Sequence, residues 1–328
     1  MGNPTAMKSK DVIIVGAGMA GLLAARMLKH RNPVVIEKAG QLPNNHSAVL
    51  RFRSEIVGDV LGIPFKKVRM MKSAAHDGNI IAASMIYAHK CSGVYRSDRS
   101  LPVGTEVGDR FIAPSDLISR MAEGIDVRYG MGMEEAIEAS DDNVIISTIP
   151  MPSLMDILAL DHPNGLARPN FQSVSGANIS IKINDCDAYV SVYDARRGSP
   201  VSRISITGDK LIIELPNLDN DAINGIKTDS KLAGNIIRDC LNLVGCDRKS
   251  VEGNQAVIST QRYAKIQPVD QDDRHSFIHW ATDNHNIYSL GRFATWRPNL
   301  LLDDLVNDIR LIDKWSSKGN KYAVNNHR

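Results

Sequence analysis

Several signatures are missing from this chain of 328 residues. No apolar run approaches the ~20 residues that a bilayer-spanning helix requires, so no membrane partner is expected. The leader MGNPTAMKSK has no apolar signal core and reads as a short disordered tail. The four cysteines, Cys91, Cys186, Cys240 and Cys246, form no CxxC pair and have no histidine pattern beside them. They suit buried or incidental thiols of a reducing compartment, which points to the cytoplasm. An excess of either charge is also lacking. Lys and Arg number 39 against 37 Asp and Glu, a formal net charge of +2. That balance does not advertise nucleic-acid binding, although it leaves room for a local basic groove. No Ser/His/Asp arrangement and no metal-binding spacing stands out, and the nine histidines are scattered.

What is present belongs to a globular protein of about two domains, with 43% hydrophobic and 23% charged residues. The chain is organised around Asp11–Lys38, DVIIVGAGMAGLLAARMLKHRNPVVIEK. An apolar strand, Val12–Val15, runs into a GxGxxG turn, and a helical pattern follows from Met19 to about His30. A second apolar run, Val34–Ile36, ends on the acid Glu37. This is the strand–turn–helix–strand unit of a dinucleotide fold. Gly16 permits the tight turn, Gly18 lets the backbone approach a pyrophosphate, and Gly21 lets the helix pack on the strand. The helix start, with Met19 and Ala20, offers unpaired N–H groups to that pyrophosphate. Glu37, followed by Lys38, stands where a carboxylate can accept both ribose hydroxyls. An acid there disfavours a 2′-phosphate and hence NADP.

FAD and NAD are separated further along. Ile125–Tyr129 and Val144–Thr148 are two short strands, the second running into a Thr-x-Pro turn. An ordinary NAD domain would keep regular βαβ alternation here. In an FAD domain the first strand supplies backbone contacts to adenine, at Val127, and the second, ending at Thr148, returns to the sheet beside the first strand. A C-terminal strand, Ile287–Leu290, then turns at Gly291-Arg292, and Asn299-Leu300 opens a helix running to about Ile312. Such a closure brings a glycine to the ribityl–pyrophosphate and a helix N-terminus to the flavin. FAD is therefore the expected cofactor.

Between these parts the texture changes. Ser175–Ile183, Ala188–Ala195, Ser202–Asp209 and Lys210–Leu215 are short, β-branched-rich strands, with a hairpin at Gly208-Asp209. Ile223–Val244 is expected to be helical, and Ala256–Lys265 to be a strand leading back to the first domain. Asn79–Ala88 is apolar and fits either strand or buried helix. Arg96–Pro114 looks loop-rich, Ser115 is placed to cap a helix over Asp116–Gly124, and His275, His279 and His285 have loop-like spacing. The fold class expected is α/β: a Rossmann-like FAD-binding domain (1–45, 100–165 and 256–328) with an antiparallel-sheet substrate domain (46–99 and 166–255).

Candidate site residues follow. Arg51 and Arg53 flank Phe52, and in an extended chain both guanidiniums share one face. The functional reading puts Arg51 on the FAD pyrophosphate and Arg53 near the substrate; the alternative is a surface pair. Arg203 and Arg292 are further anion-binding candidates, while Tyr193, Tyr263 and Trp296 are candidates for pocket walls. Arg53, Arg292, Trp296 and Tyr263 form the expected catalytic set. Lys66, Lys67, Arg69 and Lys72 add a local basic cluster. Acid–base groups are few, which suits chemistry in which a flavin performs the difficult step.

The fingerprint, together with LGRFATWRP (Leu290–Pro298), resembles the FAD family that includes amine oxidases, protoporphyrinogen oxidase and UDP-galactopyranose mutase. The mutase pattern would add a glycine pair and a histidine loop, whereas here Gly40 stands alone with only His46 nearby. LRFRS (Leu50–Ser54), GIPFKKV (Gly62–Val68), RFIAPSDLI (Arg110–Ile118), STIPMP (Ser147–Pro152) and SRISITGDKLIIE (Ser202–Glu214) resemble compact phage-encoded FAD proteins. That second resemblance implies a host cytoplasm and a place in thymidine hypermodification, with modified DNA as a partner. The activity implied is oxidation or lyase-type cleavage of a C–N bond in a small amine or amino-acid-like substrate, including an amino-acid adduct on thymine. Non-redox catalysis of the mutase type and a purely structural use of FAD are the alternatives.

Overall fold

The structure, a computed structural model, describes residues 12–43, 51–97, 99–140, 143–158 and 166–317. The leader, His46 and Leu50 of the LRFRS motif lie outside the described residues. Among those described, no helix is long and apolar enough to cross a membrane.

The first unit is a five-stranded parallel sheet, ordered β13-β7-β1-β2-β6. Its strands are β1 (Val12–Val15), β2 (Val34–Glu37), β6 (Asp126–Tyr129), β7 (Val144–Ser147) and β13 (Ile287–Ser289). β1 is central, between β2 and β7. It is buried on both faces, and this accounts for its uninterrupted VIIV. Val12 and Ile14 face α1 (Met19–Met27), α4 (Leu117–Ala122) and α10 (Leu302–Ser317). Ile13 and Val15 face α5 (Met133–Glu138), α6 (Met151–Ile157) and α9 (Gln271–His285). The return of the Val144 strand beside the first is as expected.

The second unit is an eight-stranded sheet, ordered β12-β8-β11-β10-β9-β4-β5-β3. It comprises β3 (Arg51–Phe52), β4 (Lys66–Ala75), β5 (Glu106–Ile112), β8 (Ser173–Lys182), β9 (Ala188–Asp194), β10 (Arg203–Gly208), β11 (Lys210–Pro216) and β12 (Val257–Ile266). One face carries Ile179, Ile181, Val192, Ile204, Ile206, Leu211 and Ile213. It packs on α7 (Asn220–Thr228) and α8 (Ser230–Leu243). α2 (Ile56–Leu61) joins β3 to β4, and α3 (Ile80–Ser92) follows β4. Tyr87 of α3 meets Tyr193 of β9 edge-on at 5.6 Å.

Several expectations are corrected. The sheet is mixed, not wholly antiparallel, because β4 and β9 pair in parallel. β5 arises within the stretch read as loop, and β5 and β12 both pair into the second sheet. Asn79–Ala88, open to strand or buried helix, takes the helical alternative, with the Asn79 side chain capping α3 by accepting from Ala82 N at 2.8 Å. The helix expected over 223–244 is two, broken at Asp229, whose carboxylate caps the second. The helix after Ser115 begins at Leu117, with Asp116 as the preceding residue. His275, His279 and His285 lie on α9.

Candidate dinucleotide site and the sheet that faces it

The glycine turn is built by contacts that no side chain could share. Gly16 sits at φ +102°, and a Cβ there would lie 2.3 Å from Thr148 Oγ1. Thr148 is held in place by donating Oγ1 to Val15 O at 2.7 Å. A Cβ on Gly21 would lie 1.9 Å from Gly16 O, so the helix backbone rests directly on the turn. Gly18 differs: a Cβ there would meet nothing within 4 Å. α1 begins behind it with no acid in its first turn and no side-chain cap. The N–H groups of Met19 and Ala20 therefore present an uncompensated partial positive charge beside an open space, a physical fit for a phosphate.

Glu37 is drawn onto this turn. Its carboxylate accepts Ala17 N at 2.8 Å and Ala39 N at 2.9 Å. Lys38 beside it is exposed. Val127, paired with Val35, lines an open concavity of about 570 Å³ with Leu42, Arg120, Ala122, Ile125 and Tyr129.

The C-terminal turn closes on the same place. Leu290 N donates to Ser147 O at 2.8 Å, and Gly291 takes φ +101° with its Cβ position 3.2 Å from Ala20 Cβ. Sequence-distant Gly291 and Ala20 are thus in contact. Arg292 follows, with its guanidinium carbon 5.6 Å from the Phe293 ring centre. Its Nε is buried without a hydrogen-bond partner. Burial, and then the Arg99 charge, lower its pKa.

Not every expected site residue takes the place foreseen. Trp296 is 1% exposed, and its indole N–H donates to Gln267 O at 2.9 Å. It is a packing group under the site rather than a wall of it. Tyr263 on β12 is half-buried, 5.8 Å from both Phe293 and Trp296. Asn299 is exposed and does not cap the helix. α10 starts at Leu302, where the Asp304 carboxylate accepts Leu301 N at 2.9 Å, and Leu300 N donates to Arg297 O. Arg53 is exposed, with its backbone N–H directed at Asp303. Ser54 also donates to Asp303, through N at 3.0 Å and Oγ at 2.9 Å.

Arg51, on the edge strand of the second sheet, reaches across that sheet. It donates Nη1 to Met70 Sδ at 2.8 Å and Nη2 to Ser205 Oγ at 3.1 Å. Burial and the neighbouring Arg203 lower its pKa to about 10. Arg51 and Arg53 do not share one environment, because the chain leaves β3 after Phe52.

The second sheet presents a polar face opposite its apolar one. Register places Tyr193, Arg203, Glu214, Asn178 and Ser259 in one row across five strands. Ser191 and Ser205 pair in the next row of that face, with hydroxyls 3.3 Å apart. Arg203 Nε donates to Glu214 Oε1 at 2.9 Å, and Lys265 lies 3.1 Å from Glu214 Oε2. Burial works against an ionised Glu214, but Arg203 and Lys265 outweigh it and hold its pKa at about 2. Glu214 and Lys265 were not anticipated as site residues. The signal for Glu214 was the alternation of SRISITGDKLIIE, which pairs Arg203 with Glu214 across a two-residue turn; Lys265 lies on another strand and had no such signal.

The basic cluster of Lys66, Lys67, Arg69 and Lys72 is partly neutralised. Lys66 bridges to Asp187 at 3.3 Å and Lys67 to Asp109 at 2.9 Å.

No protein-family model matches the chain, and no curated protein matches it by sequence. Solved structures match it by fold. A candidate protoporphyrinogen oxidase from Exiguobacterium sp. 255-15 superposes with a TM-score of 0.58 at 12% identity, over 95% of this chain and 100% of that one. PqsL of Pseudomonas aeruginosa, assigned as an FAD-dependent monooxygenase, gives 0.53 at 12% identity over 94% and 87%. A putrescine oxidase bound to putrescine gives 0.51 at 12% identity over 94% and 99%. The fold is the one these flavin-type enzymes share: a Rossmann-like parallel sheet joined to a second, curled mixed sheet.

Proposed function

We propose that the protein is an FAD-dependent oxidoreductase acting at the C–N bond of a small amine or amino-acid-like substrate. The observation that carries the cofactor is the uncapped, acid-free start of α1 behind the open Gly18, with Glu37 held on the same turn. Gly16, Gly18, Met19, Ala20 and Gly21 would hold the pyrophosphate. Glu37, with Lys38 beside it, would take the ribose, Val127 the adenine end, and Thr148 would brace the turn. Gly291 and Arg292 would close the flavin end, with Asn299 and Leu300 on the stretch that leads into α10. When bound, the flavin supplies a hydride acceptor for the carbon next to nitrogen.

The chain's own groups bind and orient. Tyr263 and Phe293, half-buried with ring centres 5.8 Å apart, would supply apolar surface at that end. Glu214, the carboxylate of the polar row, is ionised and shared by two cations, so it is poorly placed to take a proton. Hydride removal from a neutral amine suits such a site, because it needs no strong general base. The fold likeness to a putrescine oxidase supports the same choice.

The test is anaerobic titration of the purified yellow protein with amines and amino acids. Flavin bleaching with peroxide release on readmitting air is the expected result. Bleaching by none of them, with activity appearing only after dithionite reduction, would defeat oxidation in favour of mutase-type catalysis. An amino-acid adduct on thymine remains one carrier of such a substrate, resting on the resemblance to phage flavoproteins. Nucleoside mass analysis of modified phage DNA, before and after incubation with the enzyme, decides that point and separates cleavage from oxidation.

A further inference from the structure

We infer that the polar face of the second sheet is an anion site, and that the substrate carries a carboxylate or phosphate bound among Arg51, Arg203 and Arg292. This deepens the flavin reading and rests on it only for placing the anion beside the reacting centre. Arg51, Arg203, Lys265 and Arg292 act on one carboxylate, Glu214. That carboxylate is already divided between Arg203 and Lys265.

Arg51 and Arg292 have no carboxylate of their own within ion-pair distance among the described residues. Arg51 donates to a thioether and a hydroxyl, and Arg292 has a buried Nε with no partner. Burial lowers the pKa of both and outweighs the pull of the more distant Glu214, so neither charge is fully compensated within the protein. A buried surplus of guanidinium is costly unless an anion completes it. The guanidinium fork matches carboxylate and phosphate geometry.

The surroundings are those of a built site. Ser205 fixes Arg51 and is itself within 3.3 Å of Ser191. Glu214 fixes Arg203 from the next strand. Tyr87 and Tyr193 stand against the same face. The cofactor's pyrophosphate is not the obvious owner of these cations, because the start of α1 already serves it. Arg51 is anchored instead on β4 and β10, through Met70 and Ser205.

The experiment is isothermal titration of the full chain with benzoate, benzamide and inorganic phosphate, with flavin content measured on each sample by absorbance. Benzoate should bind at least tenfold more tightly than its neutral isostere benzamide. Arg51→Gln and Arg292→Gln should each weaken benzoate at least tenfold, and Arg51→Lys should recover part of the loss. Ser205→Ala, which removes only the anchor of Arg51, should weaken it severalfold and serves if Arg51→Gln does not fold. Phosphate that displaces benzoate would assign a phosphate-bearing substrate; phosphate that does not would assign a carboxylate.

Equal binding of benzoate and benzamide, or benzoate binding unchanged in the variants, overturns the anion site. Flavin lost from Arg51→Gln while benzoate binding persists also overturns it and moves Arg51 to the cofactor. Arg51-dependent benzoate binding to a protein that holds no flavin would sustain the anion site and defeat the flavin reading alone.

Discussion

Gly18→Ala separates cofactor binding from folding, because the three glycines of the turn are required for different reasons. Gly18 lies at φ −73° and ψ 179°, a conformation alanine adopts freely. Its Cβ position is clear of every atom within 4 Å. With no strain and a less flexible unfolded chain, the ligand-free protein should gain about 0.4–1 kcal/mol. In the complex, the added methyl would stand between the backbone and the pyrophosphate. Losing even one charge-assisted hydrogen bond there costs roughly 1.5–3 kcal/mol, or about a tenfold to hundredfold loss of affinity. Gly21→Ala is the contrast. Its Cβ would lie 1.9 Å from Gly16 O, a backbone atom that no rotamer change can move, so stability should fall by about 3 kcal/mol or more. Urea unfolding of the ligand-free proteins and fluorescence titration with FAD measure both quantities. If Gly18→Ala binds FAD as tightly as the parent, the pyrophosphate does not lie on this turn.

Three further outcomes are expected. Glu37→Ala should weaken FAD by about 1.5–3 kcal/mol for each ribose hydrogen bond lost; full occupancy at unchanged affinity would show that Glu37 serves only the Ala17 and Ala39 amides. Arg292→Lys keeps the charge and loses the planar fork, so turnover should drop while the unfolding midpoint stays, and unchanged turnover would make Arg292 structural. Glu214 has its pKa depressed from 4.5 to about 2, so its contribution is complete above pH 4.5 and fades as pH falls towards 2. The total is roughly 3 kcal/mol, and Glu214→Gln should flatten that limb of the stability profile; an equally steep limb in the variant would refute the assignment.

The first unit was legible because its signals are local. The apolar run of β1, the glycines of the turn and the acid ending β2 all fall within 28 consecutive residues, Asp11–Lys38. The β10–β11 hairpin was legible for the same reason. α9 was not, since QDDRHSFIHWATDNH buries only Phe277, Ala281 and Thr282, a stripe too narrow to reveal its period. β5 was hidden because its alternation is weak, and none of its seven residues is fully buried. The place of Arg51 was beyond local reading altogether. Three strands separate β3 from β10 in the sheet order, about 19 Å in a flat sheet at the usual spacing. An arginine side chain spans that gap to Ser205 only because the sheet curls. Curl is a property of the whole sheet, and no short stretch encodes it.

The order of strands in the parallel sheet has a consequence for how the protein is made. β13 comes from residues 287–289, yet it lies beside β7 and leads into the glycine that touches α1. The glycine turn proposed to hold the pyrophosphate emerges first, and Gly291 emerges only after every strand of the second sheet. During synthesis the early strands must therefore wait with one sheet edge unpaired while the intervening chain folds. Cofactor capture should be a late event, following emergence of β13 and Gly291, and the waiting edge β7 is where misassembly would begin.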